Sequence, residues 1–373
     1  MGIALTDDHR ELSEVARSFL TAQKARAAAR ELLDAEEESR PTFWTDLAEL
    51  GWLGLHVDEQ YGGSGFGLPE LVVVIDELGR AVAPGPFVPT VVASAVLAAA
   101  GSDEQKARLL PGLIDGSVTA AVGFGGDVTV SGGRATGDAG VVLGAGLADL
   151  LVLVAGDDVL VVESGADGVS VEVPGNLDRT RRSGRVSLKD VAVGDNVLPG
   201  ARTAALARAR TLFAAEAVGG AAECVDTAVE YAKVREQFGR TIATFQAVKH
   251  HCANMLVGAE SAVATVWDAA RAAGEDEEQF TLIAAAAATL AFPAYVRNAE
   301  LNIQVHGGIG FTWEHDAHLH LRRALTVQAL LGGDAPATDV FELTAGGLSR
   351  SNSLDLPPEP DELRTQIRAD ADQ

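Results

Sequence analysis

The chain reads as an α+β protein: an N-terminal helical domain, a small antiparallel β domain, then a C-terminal four-helix bundle. Three observations predict this order. Helix-period stripes fill residues 1–118, short β-branched runs fill 119–200, and helix-period seams return over 201–349, before a polar tail at 350–373. At 373 residues the chain can enclose two or three cores, and its alanine-rich apolar positions favour helix.

In the first zone, "LTDDHRELSEVARSFL" places an Asp/Thr cap before a stripe of Leu12, Val15, Ala16 and Leu20. "FWTDLAELGWLGL" repeats the pattern and stops at the glycine turn "YGGSGFG". The apolar helix "LPELVVVIDELGRAV" follows, then "SDEQKARLLPGLIDG". In the second zone, "TAAVGF", "VTVSG", "DLLVLVA", "VLVVES", "VSVEV" and "GRVSLKDVAV" have periods near two and close turns, the texture of a small barrel or sandwich. Gly144, Gly146 and Ala148 look like a dinucleotide fingerprint. The next strand begins too soon to leave room for the phosphate-facing helix, so the stretch reads as a β-turn. In the third zone, Val218, Ala222, Val225, Val229 and Ala232 recur at steps of four and three. Glu216, Glu223 and Glu230 follow at intervals of seven, which suggests a solvated stripe opposite that seam. Pro293 is expected to interrupt or kink its Ala-rich helix.

Charge and composition exclude several classes. With 53 acidic and 29 basic residues, the net charge of −24 repels nucleic acid and anionic membranes. An anionic ligand would need local Arg side chains or helix N-termini. Cys224 and Cys252 lack CxxC spacing, so two buried thiols in a reducing, cytoplasmic setting are expected rather than a disulfide or thiolate metal site. No run of about 18 uncharged apolar residues is evident, and the acidic start lacks a signal peptide's basic end. Gly2 and Thr6 match a myristoylation pattern too short and common to carry weight. His315 and His318 can share a helical face, but His320 cannot join them, so no metal site is expected. Ser/His/Asp chemistry has no G-x-S-x-G support.

"EYAKVREQFGRTIATFQAVKHHCANML" (230–256) and "QVHGGIGFTWEHDAHLHLRRA" (304–324) resemble two signature regions of the acyl-CoA dehydrogenase family. "ELGWLGLHVDEQYGGSGFG", "DEQKARLLPGLIDG" and the helix–sheet–helix order agree with it. The resemblance implies an FAD flavoprotein that desaturates an acyl-CoA between its α and β carbons. In that family a carboxylate removes the α-proton, the β-hydrogen leaves as hydride to FAD, and the cofactor straddles a dimer interface. It also implies that Arg235, Gln237 and Phe238, in R-x-Q-F-G, and Gln304, Gly307 and Gly308, in Q-x-x-G-G, grip the pyrophosphate and adenosine end of a neighbour's FAD.

Other family features are missing. Region 121–133, "AVGFGGDVTVSGG", lacks the Thr-Glu-Pro-x-Ala-Gly-Ser-Asp-like segment that touches the flavin ring. The usual catalytic Glu, in a Tyr-Glu-Gly-Thr-like turn, falls on Leu331, and the Glu of a smaller branch falls on Ala209, before Arg210. Neither can accept a proton, so no catalytic residue is assigned. The combination resembles the non-catalytic subunit of the heterotetrameric steroid-type actinobacterial acyl-CoA dehydrogenases. Its implied partners are a second subunit bearing the catalytic Glu, an acyl-CoA substrate, and an electron-transfer flavoprotein or similar acceptor. Two alternatives stand beside it. One is an independent homo-oligomeric dehydrogenase with Glu314 as an unusual base, Glu216 and Asp334 being further candidates; the other is a flavin-free scaffold. The tail segment "DLPPEPDELRTQIRAD" resembles the chain's opening, with Leu363 and Arg368 spaced like Leu12 and Arg17, and reads most simply as a short solvated helix after a Pro-rich linker.

Overall fold

The computed structural model describes residues 5–351, so Gly2 and the tail segment 355–370 lie outside the described residues. Six helices come first: α1 (Asp7–Ala22), α2 (Ala25–Glu31), α3 (Trp44–Glu49), α4 (Leu68–Ala81), α5 (Phe87–Ala100) and α6 (Asp103–Ile114). Thr6 caps α1 by accepting from the His9 N–H, and Ser102 caps α6 through Gln105. Ala16 and Leu20 of the α1 stripe are buried, but Val15 is 46% exposed, so the buried stripe is narrower than its spacing suggested. No stripe marks α5, because it is buried on nearly every side.

The sheet follows, from β1 (Ala120–Gly123), β2 (Thr129–Ser131), β3 (Arg134–Leu143), β4 (Leu150–Ala155), β5 (Asp158–Glu163), β6 (Val169–Glu172), β7 (Ser183–Ala192) and β8 (Val197–Leu198). The order is β6-β7-β3-β1-β4-β5-β8, with β2 beside β3. The sheet is mixed rather than purely antiparallel. β1 and β4 run parallel in the register Ala120↔Leu150, because the chain makes the β2–β3 hairpin before returning to β1's other edge. β3 escaped the sequence pattern because Gly137 and Gly140 sit at two register shifts, which break its period of two. Residues 144–149 form the turn into β4, with no helix.

The bundle comprises α7 (Arg202–Val234), α8 (Gln246–Ala272), α9 (Glu277–His306) and α10 (Ala317–Leu331), with the short α11 (Ala335–Ala345) beside α9. A two-strand hairpin, β9 (Glu236–Gln237) and β10 (Arg240–Thr241), links α7 to α8. α9 continues through Pro293 without interruption. Its apolar stretch has the length and composition of a membrane span, yet much of it is buried against α7, α8 and α10. Helices α4 and α7 touch backbone to backbone: a Cβ on Gly79 would lie 2.2 Å from the Glu216 carbonyl oxygen, and one on Gly219 would lie 2.0 Å from that of Asp76. This contact locks the N-terminal helices to the bundle and fixes the depth at which Glu216 sits.

Candidate functional site

Two places on the bundle hold the residues the sequence singles out. At the first, the rings of Tyr231 (α7) and His306 (α9) stack with centroids 4.4 Å apart, bringing the ends of both helices together. The β9–β10 hairpin starts just after Val234, and the glycine turn starts just after His306, so both motifs emerge at this end. Arg235 ends α7 by donating its N–H to the Tyr231 carbonyl. Its side chain is exposed, with no ion-pair or hydrogen-bond partner among the described residues. Gln237 and Gln304 are exposed too. Phe238 is 93% exposed with φ 55°, a left-handed conformation costly for a bulky side chain, and its ring meets Phe245 edge-on at 6.0 Å. Gly307 (φ 61°) and Gly308 face open space where side chains would stand, leaving their backbone approachable. A free guanidinium, two carboxamides and bare backbone at one rim fit a phosphate group.

At the second place, Leu331 ends α10 and lines a cavity of about 310 Å³ between the sheet and the bundle. Val122, Phe124, Gly125 and Gly126 form one wall, Gly140, Val141 and Leu143 of β3 a second, and Phe213 with Ala329, Leu330 and Leu331 the rest. Every one of these is glycine or carries a hydrocarbon side chain. Ala209 lies one turn before Phe213 on α7 and is fully buried. The polar edge of an isoalloxazine would find no side-chain partner among these lining residues. Glu314 lies elsewhere, lining a cleft beside Tyr231 and His306. Hydrogen bonds from its own backbone N–H and the Thr312 hydroxyl hold its carboxyl below the ordinary range, which weakens it as a base. Asp334 is exposed and does not line the Leu331 cavity.

Glu216 corrects the solvated-stripe expectation. It is 1% exposed and pairs with Arg181 (Nη2 to Oε2, 2.6 Å) and Arg323 (Nη1 to Oε1, 2.6 Å). Arg323 also pairs with the buried Asp178 and donates to Thr180 and to the carbonyl of Ala83. Burial pushes the Glu216 and Asp178 carboxyls up, but the neighbouring guanidiniums outweigh it and hold both below their ordinary values. The network lies directly behind the cavity, since the Arg181 guanidinium sits 5.5 Å over the Phe213 ring. Glu223 is half-buried against Arg26, and only Glu230 of the three is fully exposed. Nothing in the spacing foretold this, because Arg181 and Arg323 come from distant segments; the local signals were two arginine pairs, Arg181–Arg182 and Arg322–Arg323.

The three histidines take separate partners: His315 faces His306, His318 stacks on Trp313, and buried His320 meets Tyr295. Cys224 is buried as expected, but Cys252 is only half-buried.

Comparison with known proteins agrees with this architecture. The description "Acyl-CoA dehydrogenase, N-terminal domain" matches residues 6–117, and "Acyl-CoA dehydrogenase, C-terminal domain" matches 200–339. IpdE2 of Mycobacterium tuberculosis, named an acyl-CoA dehydrogenase, is 32% identical over 85% of this chain and 91% of its own length. The chain belongs to the acyl-CoA dehydrogenase family, whose members are FAD-binding flavoproteins. FadE34 of Mycobacterium tuberculosis is 39% identical over 99% of this chain, which spans about half (52%) of FadE34's length. A variant of the Tcur3481–Tcur3483 steroid ACAD superposes with a TM-score of 0.84 at 30% identity, covering 92% of this chain and 99% of that one. The ChsE4–ChsE5 complex from Mycobacterium tuberculosis gives 0.84 at 25% identity, covering 92% and 98%.

Proposed function

We propose that this chain is a subunit of a heteromeric FAD-dependent acyl-CoA dehydrogenase, one that completes a partner's cofactor site and supplies no catalytic base. The observation that carries this reading is the hydrocarbon lining around Leu331, where a proton acceptor would have to stand. The rim at Arg235 and Gly307 supports the other half. There Arg235 would pair with the pyrophosphate, the Gln237 and Gln304 amides would bond its oxygens, and the Gly307–Gly308 backbone would admit its approach. Bound FAD supplies the acceptor for the β-hydrogen, while the α-proton goes to a Glu of the partner subunit. Two similar solved structures are named as pairs of different chains, and one is named a steroid enzyme. These names support a heterotetramer acting on a bulky acyl-CoA of steroid type, with an electron-transfer flavoprotein or similar acceptor.

Co-expression with a family member bearing the catalytic Glu tests the proposal. The expected result is a colourless, inactive chain alone and a yellow, desaturating complex with the partner. A lone chain that is yellow and turns over acyl-CoA overturns it in favour of an independent enzyme. Absence of flavin from both preparations favours the scaffold.

A further inference from the structure

A groove of about 510 Å³ runs between α1 and α8, floored by α4 and α7. Val72, Val73, Val225, Val263 and Trp267 give it an apolar base, and the exposed Leu5 and Leu256 lie along it. It follows α8 from Leu256 to Trp267, about 16 Å or three helical turns. We propose that this groove is the seat of the chain's own tail, taking the apolar, basic stretch 363–369 as a helix laid along α8 instead of leaving it to solvent. Residues 352–373 lie outside the described residues, so the proposal is argued from the groove, the point where the chain leaves it, and the sequence. It does not rest on the subunit reading.

The chain departs at one end of this groove. Arg350 pairs with Asp268 of α8 (Nη2 to Oδ1, 2.7 Å), and the Ser351 N–H donates to the Gln279 side chain. Asp268 directly follows Trp267, where the groove ends on α8. Residues 352–363, extended, reach up to about 40 Å, which is ample for entry. The groove also has charge left over. His9 pairs with Glu70, Arg10 with Asp7, Arg17 with Glu77, and Arg80 with Asp76 and Asp226. Glu14 of α1 and Glu260 of α8, both exposed, have no cation among the described residues. An apolar segment that brings cations fits such a groove.

The order of charges matches as well. The His9 ring meets Trp267 with centroids 5.2 Å apart, so Arg10 stands at the entry, where Arg271 lies over the Trp267 ring. Glu14 comes a turn farther along α1, and Glu260 lies two turns back along α8. The tail presents Glu359, Asp361 and Glu362 first, then Arg364 and Arg368. Entering at Trp267, it sets acid against base at both steps. Leu363 and Ile367, four residues apart, then share one helical face for the apolar base, with Arg364 and Arg368 on its flank.

Disulfide trapping in the full chain tests the seat, with oxidised glutathione as oxidant. Leu256→Cys and Ala369→Cys, in a Cys252→Ala background, put one thiol in the groove and one at the end of the seated stretch. In the control pair, Ser261→Cys replaces Leu256→Cys; Ser261 is exposed on α8 and does not line the groove. The groove pair should link within one chain about tenfold faster than the control pair, through the effective concentration that seating confers. Leu363→Asp together with Ile367→Asp should bring the two rates together. Equal rates with the natural Leu363 and Ile367, or a groove preference that survives both Asp substitutions, overturns the proposal. So does a product linked between two chains, which would assign the groove to the tail of a second copy.

Discussion

The exposed rim and the Leu331 cavity differ in nearly every physical respect. The rim carries a guanidinium, carboxamides and a strained Phe238, all in water, with few internal partners. The cavity is lined by hydrocarbon and backed by an ion network whose members are all at least nine-tenths buried. The network's buried charges find their counter-charges within the chain, with the Arg181 Nε left unpartnered, so removing any one member strands the others. At the rim the Arg235 guanidinium has no partner among the described residues and Phe238 is left-handed, which accords with the docking proposed there. The contrast teaches that the chain's buried charges are gathered behind the cavity whose lining is hydrocarbon.

The largest expected effect would break this contrast at the network. Glu216→Gln leaves Arg181 and Arg323 short of a buried counter-charge and should cost about 3–5 kcal/mol in urea unfolding of the lone chain. Arg235→Ala should cost less than about 0.5 kcal/mol in the same measurement. Equal losses would erase the distinction.

Next in size, Leu331→Glu places an unpartnered carboxyl among hydrocarbon side chains. It should destabilise the chain by about 2–4 kcal/mol without conferring desaturase activity on it alone. Activity from that variant would show that the missing Glu was the only deficiency.

Acidity sharpens the comparison further. Glu38, desolvated near Asp178 and accepting from the Arg182 N–H, is pushed up to about 7. Its stabilising contribution is therefore complete below the unfolded value near 4.5 and is lost as pH rises through about 7. Glu216 and Asp178 are lowered, so their contribution holds above the ordinary carboxylate range and disappears as pH falls through their folded values. Glu38→Gln should remove the decline between about pH 4.5 and 7 while leaving the acid limb intact, read as unfolding free energy against pH.

The smallest effect belongs to the rim. Phe238→Gly relieves the left-handed strain, and the lone chain should become about 1 kcal/mol more stable. The same change should weaken FAD retention by the co-expressed complex, measured as bound flavin per protomer. A variant that improves both would remove Phe238 from the docking surface.

Much of this was legible in the sequence. Capping residues and 3.6-residue stripes located α1, α4, α6 and α7, because helix caps and amphipathic faces are local devices. The signature residues were legible as well, and the fold brings both motifs to one end of the bundle through Tyr231 and His306. What escaped was whatever depends on burial from all sides or on distant partners: α5 without a stripe, β3 broken by glycines, and the parallel β1–β4 pair.

Glu216 marks the boundary between the two kinds of knowledge. Spacing fixed its direction around the α7 axis, together with the substitutions that put leucine and alanine at the expected base positions. Depth was set only by the tertiary structure, because α7 is 33 residues long and runs from the interior to the surface. One azimuth on it therefore holds a buried ion pair at Glu216, a half-buried one at Glu223 and open solvent at Glu230. Periodicity reports an angle, whereas burial and electrostatic partners depend on what the rest of the chain packs against that angle.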